Sequence, residues 1–516
     1  MPNRPKVCFI GAGPGDPGLL TLRGAACLGR ADVIIYDALV HTAVLRHARP
    51  GAERIDVGRA APQGADCDAI AYLLVEKVRE GKQVARLKWG DPFIFDDGGE
   101  EALFLHEHGI PFEVVPGVPA AVGTPPYAGV AVTYRGGGDT LTLVRGHEGA
   151  SGKLPKVDWT SLARLDGTIV CYAGPSQLPA MLSALRDHGR PADEPVALIY
   201  NGTLATQRTI VGTLGSLAEA ALPSDPRPAI VVVGRVAALR EHLRWFDVKP
   251  LFGRRVVVTC PREQARELTE LLEDQGAHVM LAPTVRLAPV DDYTELDAAC
   301  ADISRFDWVV LPRLSGVEVF LRRLFAAGVD LRSLKGVGLC AIGHSAVERF
   351  AAVGLRVDVA RAEFRPDAIV EALSAGKGLR GRRVLLLQAE GTRDILGSEL
   401  RKAGAEVVEI GAYRTVRIMP GDAGEPDLYK MLLERQVDVI TFTSPSTVVE
   451  FADIHGRDAV ADVLRTTMVA CVGPVTAQAA VALGVMPAIV PEEFTVPAMV
   501  AAIVRQLRGP GAPASS

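Results

Sequence analysis

The chain has 516 residues, a length that predicts about three to four domains at about 150 residues each. With 48% hydrophobic and 23% charged residues it is no disordered chain, and 56 Lys and Arg against 61 Asp and Glu exclude the basic footprint of a nucleic-acid binder. No apolar run approaches the ~18 residues of a membrane span, and the chain runs at once into a strand, so neither a span nor a secretory leader is expected.

In chain order, strand-like KVCFIGAG (from Lys6), ADVIIYD (from Ala31) and KQVARLKWG (from Lys82) alternate with helix-like segments such as EEALFLHEHG (from Glu100). This alternation predicts an α/β architecture with largely parallel sheets. A strand-rich block follows from Thr133 to Gly234, with TLTLVRGH, GTIVCYAG, PVALIYNGT and PAIVVVGRV. The best boundary is WFDVKPLFGR, Trp245 to Arg254, where a helix-like segment ends and Pro250 and Gly253 precede a new strand. The second half repeats itself: RRVVVTCPRE (from Arg254) reads against RRVLLLQAEG (from Arg382), and LCAIGHSAVERF (from Leu339) against VACVGPVTAQAA (from Val469). Such a duplication predicts two similar α/β lobes with a ligand cleft between them. The tail after Arg508, GPGAPASS, is expected to fray. The 8 cysteines are scattered without a Cys-x-x-Cys pair, which predicts buried free thiols in a reducing cytoplasm and no metal.

FIGAGPGDPGLLTLRG follows a strand and opens a helix, as a dinucleotide fingerprint would. Its spacing is wrong: Gly11 and Gly13 are followed by Gly15, and the position that needs a small residue is Asp16. Pro14 removes a backbone N–H, and Asp16 would repel a pyrophosphate. The loop therefore suits an uncharged or cationic cofactor.

Taken together, GAGPGDPGLLTLRG, ADVIIYDALV, RLKWGDPFIFDDGGEE and VVPGVPAAVGTPPYAGVAVTYR resemble the tetrapyrrole methyltransferases, and among them the uroporphyrinogen-III C-methyltransferases, over Lys6 to Phe246. The resemblance implies a two-domain methylase fold (1–246, subdomains 1–132 and 133–246), S-adenosylmethionine as methyl donor leaving as S-adenosylhomocysteine, no metal, and a homodimer. It places Pro14, Trp89, Gly90, Asp91, Ile94, Pro119, Ala120, Ala173 and Gly202 around the cofactor, and makes Asp37 the proton acceptor. Alone, Asp37 suits a helix cap and Gly90-Asp91-Pro92 an ordinary turn. Several positions depart from the family. Trp89 replaces a glycine, Asp96-Asp97 a Gly-Arg pair, Pro119 a threonine, Ala173 a methionine, and Arg59 the proposed donor lysine. Arg135 keeps a basic residue near a polyanionic substrate, and His147 keeps the family's Gly-His. One expectation is that Trp89 closes the space that Ala173 opens; a second reading of this half is a cofactor-binding or dimerisation module without catalysis.

After a linker at 247–254, residues 254–508 resemble uroporphyrinogen-III synthase through RRVVVTCPRE, AIGHSAVERF, YRTV, TFTSPSTVVEF and VACVGPVTAQAA. The implied fold is two flavodoxin-like lobes, 254–283 plus 416–507 and 287–412. The implied reaction closes hydroxymethylbilane to uroporphyrinogen III with inversion of ring D. Tyr413 matches the family's tyrosine that assists departure of the hydroxyl, although a core tyrosine is an equal reading. Thr443, Ser444, Ser446, Thr447 and Thr476 lie at strand-to-helix turns and Arg393 and Arg414 nearby, as candidates for the substrate's carboxylates; Ser446 and Thr476 also suit helix N-caps. The whole chain then reads as a cytoplasmic bifunctional enzyme that makes uroporphyrinogen III and methylates it at C2 and C7 to precorrin-2, on the way to sirohaem or cobalamin. A methylase half acting on another corrinoid is the neighbouring alternative.

Overall fold

The computed structural model describes residues 5–49, 51–60, 67–146, 154–223, 225, 227–262, 264–361, 365–375, 378–391, 395–418 and 427–508. The expected fraying of the tail after Arg508 falls outside them, as do His147 and Arg393. The chain forms two compact units, Met1–Gly253 and Arg254–Ser516.

The first unit holds two sheets. Strands β1 (Val7–Gly11), β2 (Val33–Tyr36), β3 (Glu53–Asp56), β4 (Val84–Lys88) and β5 (Phe112–Val115) pair in the order β3-β2-β4-β1-β5, all parallel. Apolar residues cover both faces: Val7, Phe9, Val33 and Ile35 on one, Cys8, Ile10, Ile34 and Leu87 on the other. The second sheet departs from the parallel expectation. Its strands β6 (Leu141–Arg145), β7 (Thr168–Ala173), β8 (Pro195–Tyr200), β9 (Arg208–Thr213) and β10 (Ala229–Val233) run in the order β6-β7-β10-β8-β9, and only β6 and β7 are parallel. In one of its antiparallel pairs, β8 with β9, residues 201–207 reverse the chain into a hairpin, with Asn201 and Thr203 at positive φ (49° and 69°).

The second unit resolves the repeat in a crossed form. Strands β11 (Arg255–Val258), β12 (His278–Leu281), β13 (Val285–Ala288), β14 (Trp308–Leu311), β15 (Gly338–Ile342) and β16 (Val359–Arg361) come from the first copy. Strands β17 (Arg383–Ala389), β18 (Glu406–Arg417), β19 (Val439–Phe442) and β20 (Met468–Cys471) come from the second. One sheet is β12-β11-β19-β20 and the other β13-β18-β17-β14-β15-β16. Equivalent strands thus stand in the same order in both sheets, but each sheet takes its first pair from one copy and its second pair from the other. The antiparallel β13–β18 ribbon carries the chain between lobes, and Ile418 N–H donates to Thr284 O at 3.1 Å where it returns.

Among the described residues no helix is long and apolar enough to cross a membrane. Cys8, Cys171, Cys260, Cys300, Cys340 and Cys471 are buried and Cys27 is half-buried, none of them in a disulfide. Cys8, Cys27 and Glu113 lie close enough to share an ion. Glu113, however, is ion-paired with Lys6 and Arg23, and burial holds the Cys8 thiol well above its ordinary pKa, a poor start for a metal ligand.

Candidate functional site

In the first unit three strand ends converge with almost no side chains between them. The glycine loop after β1 pairs with the turn after β4 through Gly90 N–H to Gly13 O (2.9 Å) and Gly13 N–H to Gly90 O (3.2 Å). Gly117, beyond β5, completes the crossing: a Cβ there would lie 2.1 Å from Gly90 O and 2.6 Å from Gly11 Cα. The loop does not open a helix directly, contrary to the sequence reading. Asp16 caps a 3₁₀ turn, Pro17–Leu19, and Thr21 caps the helix Leu22–Leu28 that follows. Pro17 at the first turn position, followed by glycine, favours this separate turn.

The second sheet closes over this loop. Thr203 accepts from Asp16 N–H (2.9 Å), Tyr127 donates to Asp16 (2.7 Å), and a Cβ on Gly202 would strike Thr124 at 2.2 Å. Gly90 lies against the Pro119-Ala120 backbone, and Gly123 lies against Pro14. Pro14, Trp89, Gly90, Asp91, Pro119, Ala120 and Gly202 are therefore brought together where the loops cross, and Ile94 sits on the turn that Asp91 forms. The buried Asp91 carboxylate accepts from Phe93 N–H (2.9 Å) and Gly117 N–H (3.0 Å), so it holds the turn and ties it to the loop after β5.

Trp89 donates its indole N–H to Pro14 O (2.9 Å) and meets Tyr172 edge-on with ring centroids 5.9 Å apart. Ala173 lies in another cluster, packed with Leu178, Met181 and Tyr200. The indole therefore does not fill space left at Ala173. Replacing Trp89 by Phe is expected to leave Pro14 O without its donor and cost about 1 kcal/mol, measured by chemical denaturation.

Asp37 follows β2 and caps no helix: the next turn, Thr42–His47, is preceded by His41. It belongs to a charge cluster that the sequence reading missed. Arg86 reaches Asp37 Oδ1 (2.7 Å) and grips both Glu101 oxygens (2.8 Å each), while Lys88 Nζ meets Asp37 Oδ2 (3.2 Å), Asp96 Oδ1 (2.6 Å) and Glu101 Oε1 (3.1 Å). Arg86, Lys88 and Glu101 are at most 3% exposed, whereas Asp37 and Asp96 reach the surface. Burial pushes the Asp96 carboxyl up to about 6, against the opposing pull of Lys88. Two charges two residues apart in the apolar strand run VARLKWG were the available signal, since alternate strand residues share a face. The side chain of Arg59 lies outside the described residues, although its helix, Val57–Ala60, packs Gly58 against Ala38 beside Asp37. Arg135 is exposed on the loop before β6. Phe95, Arg145 and Lys156 line a cavity of about 470 Å³ along β6.

In the second unit, Ser444 rather than Ser446 caps the helix Pro445–His455, accepting from Thr447 N–H (3.3 Å). Gly473 rather than Thr476 precedes the helix Pro474–Val481. A proline at the first helical position fixes the cap one residue earlier in both cases. Ser446 is exposed, Thr443 half-buried, and Thr447 and Thr476 buried. Tyr413 is 5% exposed within the core of its lobe. Arg414 forks onto Asp291 (2.6 and 2.8 Å), so its guanidinium is already engaged. The cavity beside it, about 430 Å³, is lined by Asp291, Asp292, Glu295, Glu390 and Glu409 and does not suit an anion.

Residues 6–218 match the family model of tetrapyrrole (corrin/porphyrin) methylases, and residues 266–501 that of uroporphyrinogen-III synthase HemD. The porphyrin biosynthesis protein HemD of Ruminiclostridium josui is 35% identical over 477 residues, 92% of this chain and 93% of its own. A siroheme synthase of Neisseria meningitidis serogroup B is 45% identical over 257 residues, and the match spans about half of each chain (50% and 53%). Among solved structures, a uroporphyrin-III C-methyl transferase of Thermus thermophilus, complexed with S-adenyl homocysteine, is 35% identical over 45% of this chain and 99% of its own, with a TM-score of 0.40.

Proposed function

Because the chain belongs to the family that joins a tetrapyrrole methylase to a uroporphyrinogen-III synthase in one bifunctional tetrapyrrole-biosynthesis protein, we propose that its second half closes hydroxymethylbilane to uroporphyrinogen III and its first half methylates that product at C2 and C7 to precorrin-2. The observation that supports the methylase reading is the close crossing of the loops after β1, β4 and β5, where Gly11 and Gly117 leave no room for a Cβ and Gly90 takes a positive φ of 68°. Such a crossing puts backbone rather than side chains at the strand ends, where it can approach a ligand closely. It fits S-adenosylmethionine, which is cationic at sulfur, better than a polyphosphate that Asp16 would repel.

Bound there, S-adenosylmethionine would supply an electrophilic methyl group to an electron-rich pyrrole carbon. The chain's own work is then alignment, which supplies about 7–11 kcal/mol in well-oriented reactions, and removal of the ring proton. Pro14, the Trp89-Gly90-Asp91 turn, Pro119-Ala120 and Gly202 would hold the cofactor, with Ala173 contributing backbone only, since its side chain is in the core. Asp37, fixed on both oxygens by Arg86 and Lys88, would take the proton. Arg145 and Lys156 supply positive charge for the substrate's carboxylates on the cavity beside Phe95.

For the second half, loss of water from hydroxymethylbilane gives a stabilised cation that cyclises once the chain is folded, so binding rather than strong acid catalysis is the requirement. Ser446, exposed in the first turn of the 11-residue helix Pro445–His455 that Ser444 caps, offers its hydroxyl for this beside the helix N-terminus. Tyr413→Phe is expected to slow ring closure less than tenfold, as suits a buried tyrosine, read from the uroporphyrinogen III to I ratio. The resemblance also supports a homodimer, which sedimentation would reveal.

The deciding experiment incubates the protein with hydroxymethylbilane, with and without S-adenosylmethionine, and follows absorbance and mass. Precorrin-2 in the presence of the methyl donor is expected; uroporphyrinogen III unmethylated in both would make the first half a binding module.

A further inference from the structure

The cluster under Asp37 has a charge count that the proposed reaction does not use. Arg86 and Lys88 face three carboxylates, Asp37, Asp96 and Glu101, so with all five groups ionised it carries one uncompensated negative charge. Such a charge is costly away from water, and one added proton would balance it.

Geometry says where that proton goes. An ammonium has three N–H donors, and Lys88 Nζ spends one on each carboxylate: Asp37 Oδ2 at 3.2 Å, Asp96 Oδ1 at 2.6 Å and Glu101 Oε1 at 3.1 Å. Glu101 is fully enclosed and held on both oxygens by Arg86. Both Asp37 oxygens are occupied by Arg86 and Lys88. Asp96 has Lys88 and the Asp97 N–H (2.7 Å) on Oδ1, while its Oδ2 has no protein partner among the described residues. Its side chain is 18% exposed, so the free oxygen can meet water without giving up a contact, whereas Asp37, 26% exposed, has both oxygens held. Asp96 adjoins Phe95, which lines the cavity along β6.

We propose that Asp96 is the outlet of a proton relay in the methylase half: the proton that leaves the substrate ring passes from Asp37 across Lys88 Nζ to Asp96 and then to solvent. The step balances. Nζ first gives the proton of its Asp96 contact to Asp96 Oδ1, and the resulting amine turns about its Cε–Nζ bond so that its lone pair meets Asp37 and takes the proton there; Lys88 ends as an ammonium, and one proton has moved from Asp37 to Asp96. The inference rests on the methylase reading above. Lys88 on β4, Asp37 after β2 and the Asp97 N–H act on Asp96, while Arg86 on β4 and Glu101 on the helix Gly98–Glu107 complete the cluster through Asp37 and Lys88. Burial lifts Asp96 to about 6, so it is ready to receive a proton above that pH and is already filled below it.

The test compares the full-length protein with Asp96→Asn and Asp96→Glu. Wild-type methyl transfer to uroporphyrinogen III is expected to fall as pH drops through about 6. Asp96→Asn should be roughly ten- to a hundredfold slower above that pH, at the low end of general acid–base contributions, and should lose the pH limb. Asp96→Glu should restore the limb. Carboxyl NMR of protein labelled at aspartate, without any ligand, should show one resonance titrating near that pH and missing from Asp96→Asn. Binding of S-adenosylhomocysteine by calorimetry checks that each variant is folded. A limb that persists in Asp96→Asn, or a wild-type spectrum without such a resonance, overturns the relay. A wild-type protein that binds S-adenosylhomocysteine and methylates nothing overturns the methylase reading, and the NMR titration then decides separately whether Asp96 is the cluster's protonatable member.

Discussion

Replacing Asp37 by Asn is expected to slow methyl transfer by about 10²- to 10⁴-fold, the usual contribution of a positioned acid or base. The substitution keeps the shape of the side chain and one acceptor oxygen for Arg86 or Lys88, while the cluster loses the negative charge that it has in excess. Folding should therefore survive, and what disappears is a group able to hold the ring proton. Ring closure of hydroxymethylbilane in the same sample serves as an internal control, because the residues proposed for it all lie beyond Arg254. A methylation rate within threefold of wild type would remove Asp37 from the mechanism.

Glu101→Ala addresses the other side of the same cluster. Glu101 is 1% exposed and accepts from Arg86 Nε and Nη2 and from Lys88 Nζ. Truncation leaves two buried cations short of three acceptor contacts and opens a cavity that side chains cannot refill. Removing one partner from a buried ion pair costs about 3–5 kcal/mol, and that is the expected loss, measured by urea unfolding followed through tryptophan fluorescence. Glu101→Gln should cost less, since it retains an acceptor and the volume. Equal stability of all three proteins would mean that water enters the cluster freely.

The centre of the first sheet was legible because β1 and β2 are short apolar runs ended by a glycine and an aspartate, the pattern of a fully covered parallel sheet, whereas its edge strand β3, Glu-Arg-Ile-Asp, was not. The second sheet was legible as strands but not as pairing. Nothing local in PAIVVVGRV says that β10 inserts between β7 and β8, and β9, RTIVGT, is too exposed to stand out. The loop crossing could be read because glycines mark places where backbones touch. The cluster could not, since Arg86, Lys88, Asp96 and Glu101 become one object only when strand, loop and helix are assembled. The helix caps in the second half were misplaced for a local reason. Hydroxyl residues were counted, while Pro445 and Pro474 at the first helical position already fixed the cap at Ser444 and Gly473.

The crossing of the repeat between its two sheets bears on how the second half is made. The lobe built from β13 to β18 is continuous in the chain, so it has all its strands once Arg417 has left the ribosome. The other lobe begins earlier, with β11 and β12, yet its sheet lacks β19 and β20 until more than 150 residues later. During synthesis β11 must present an open edge across that interval, the condition in which unpaired strands are most prone to wrong partners. Order of emergence thus inverts order of completion: the lobe that starts first finishes last, and the most exposed moment of this protein's life falls before Val439 is translated.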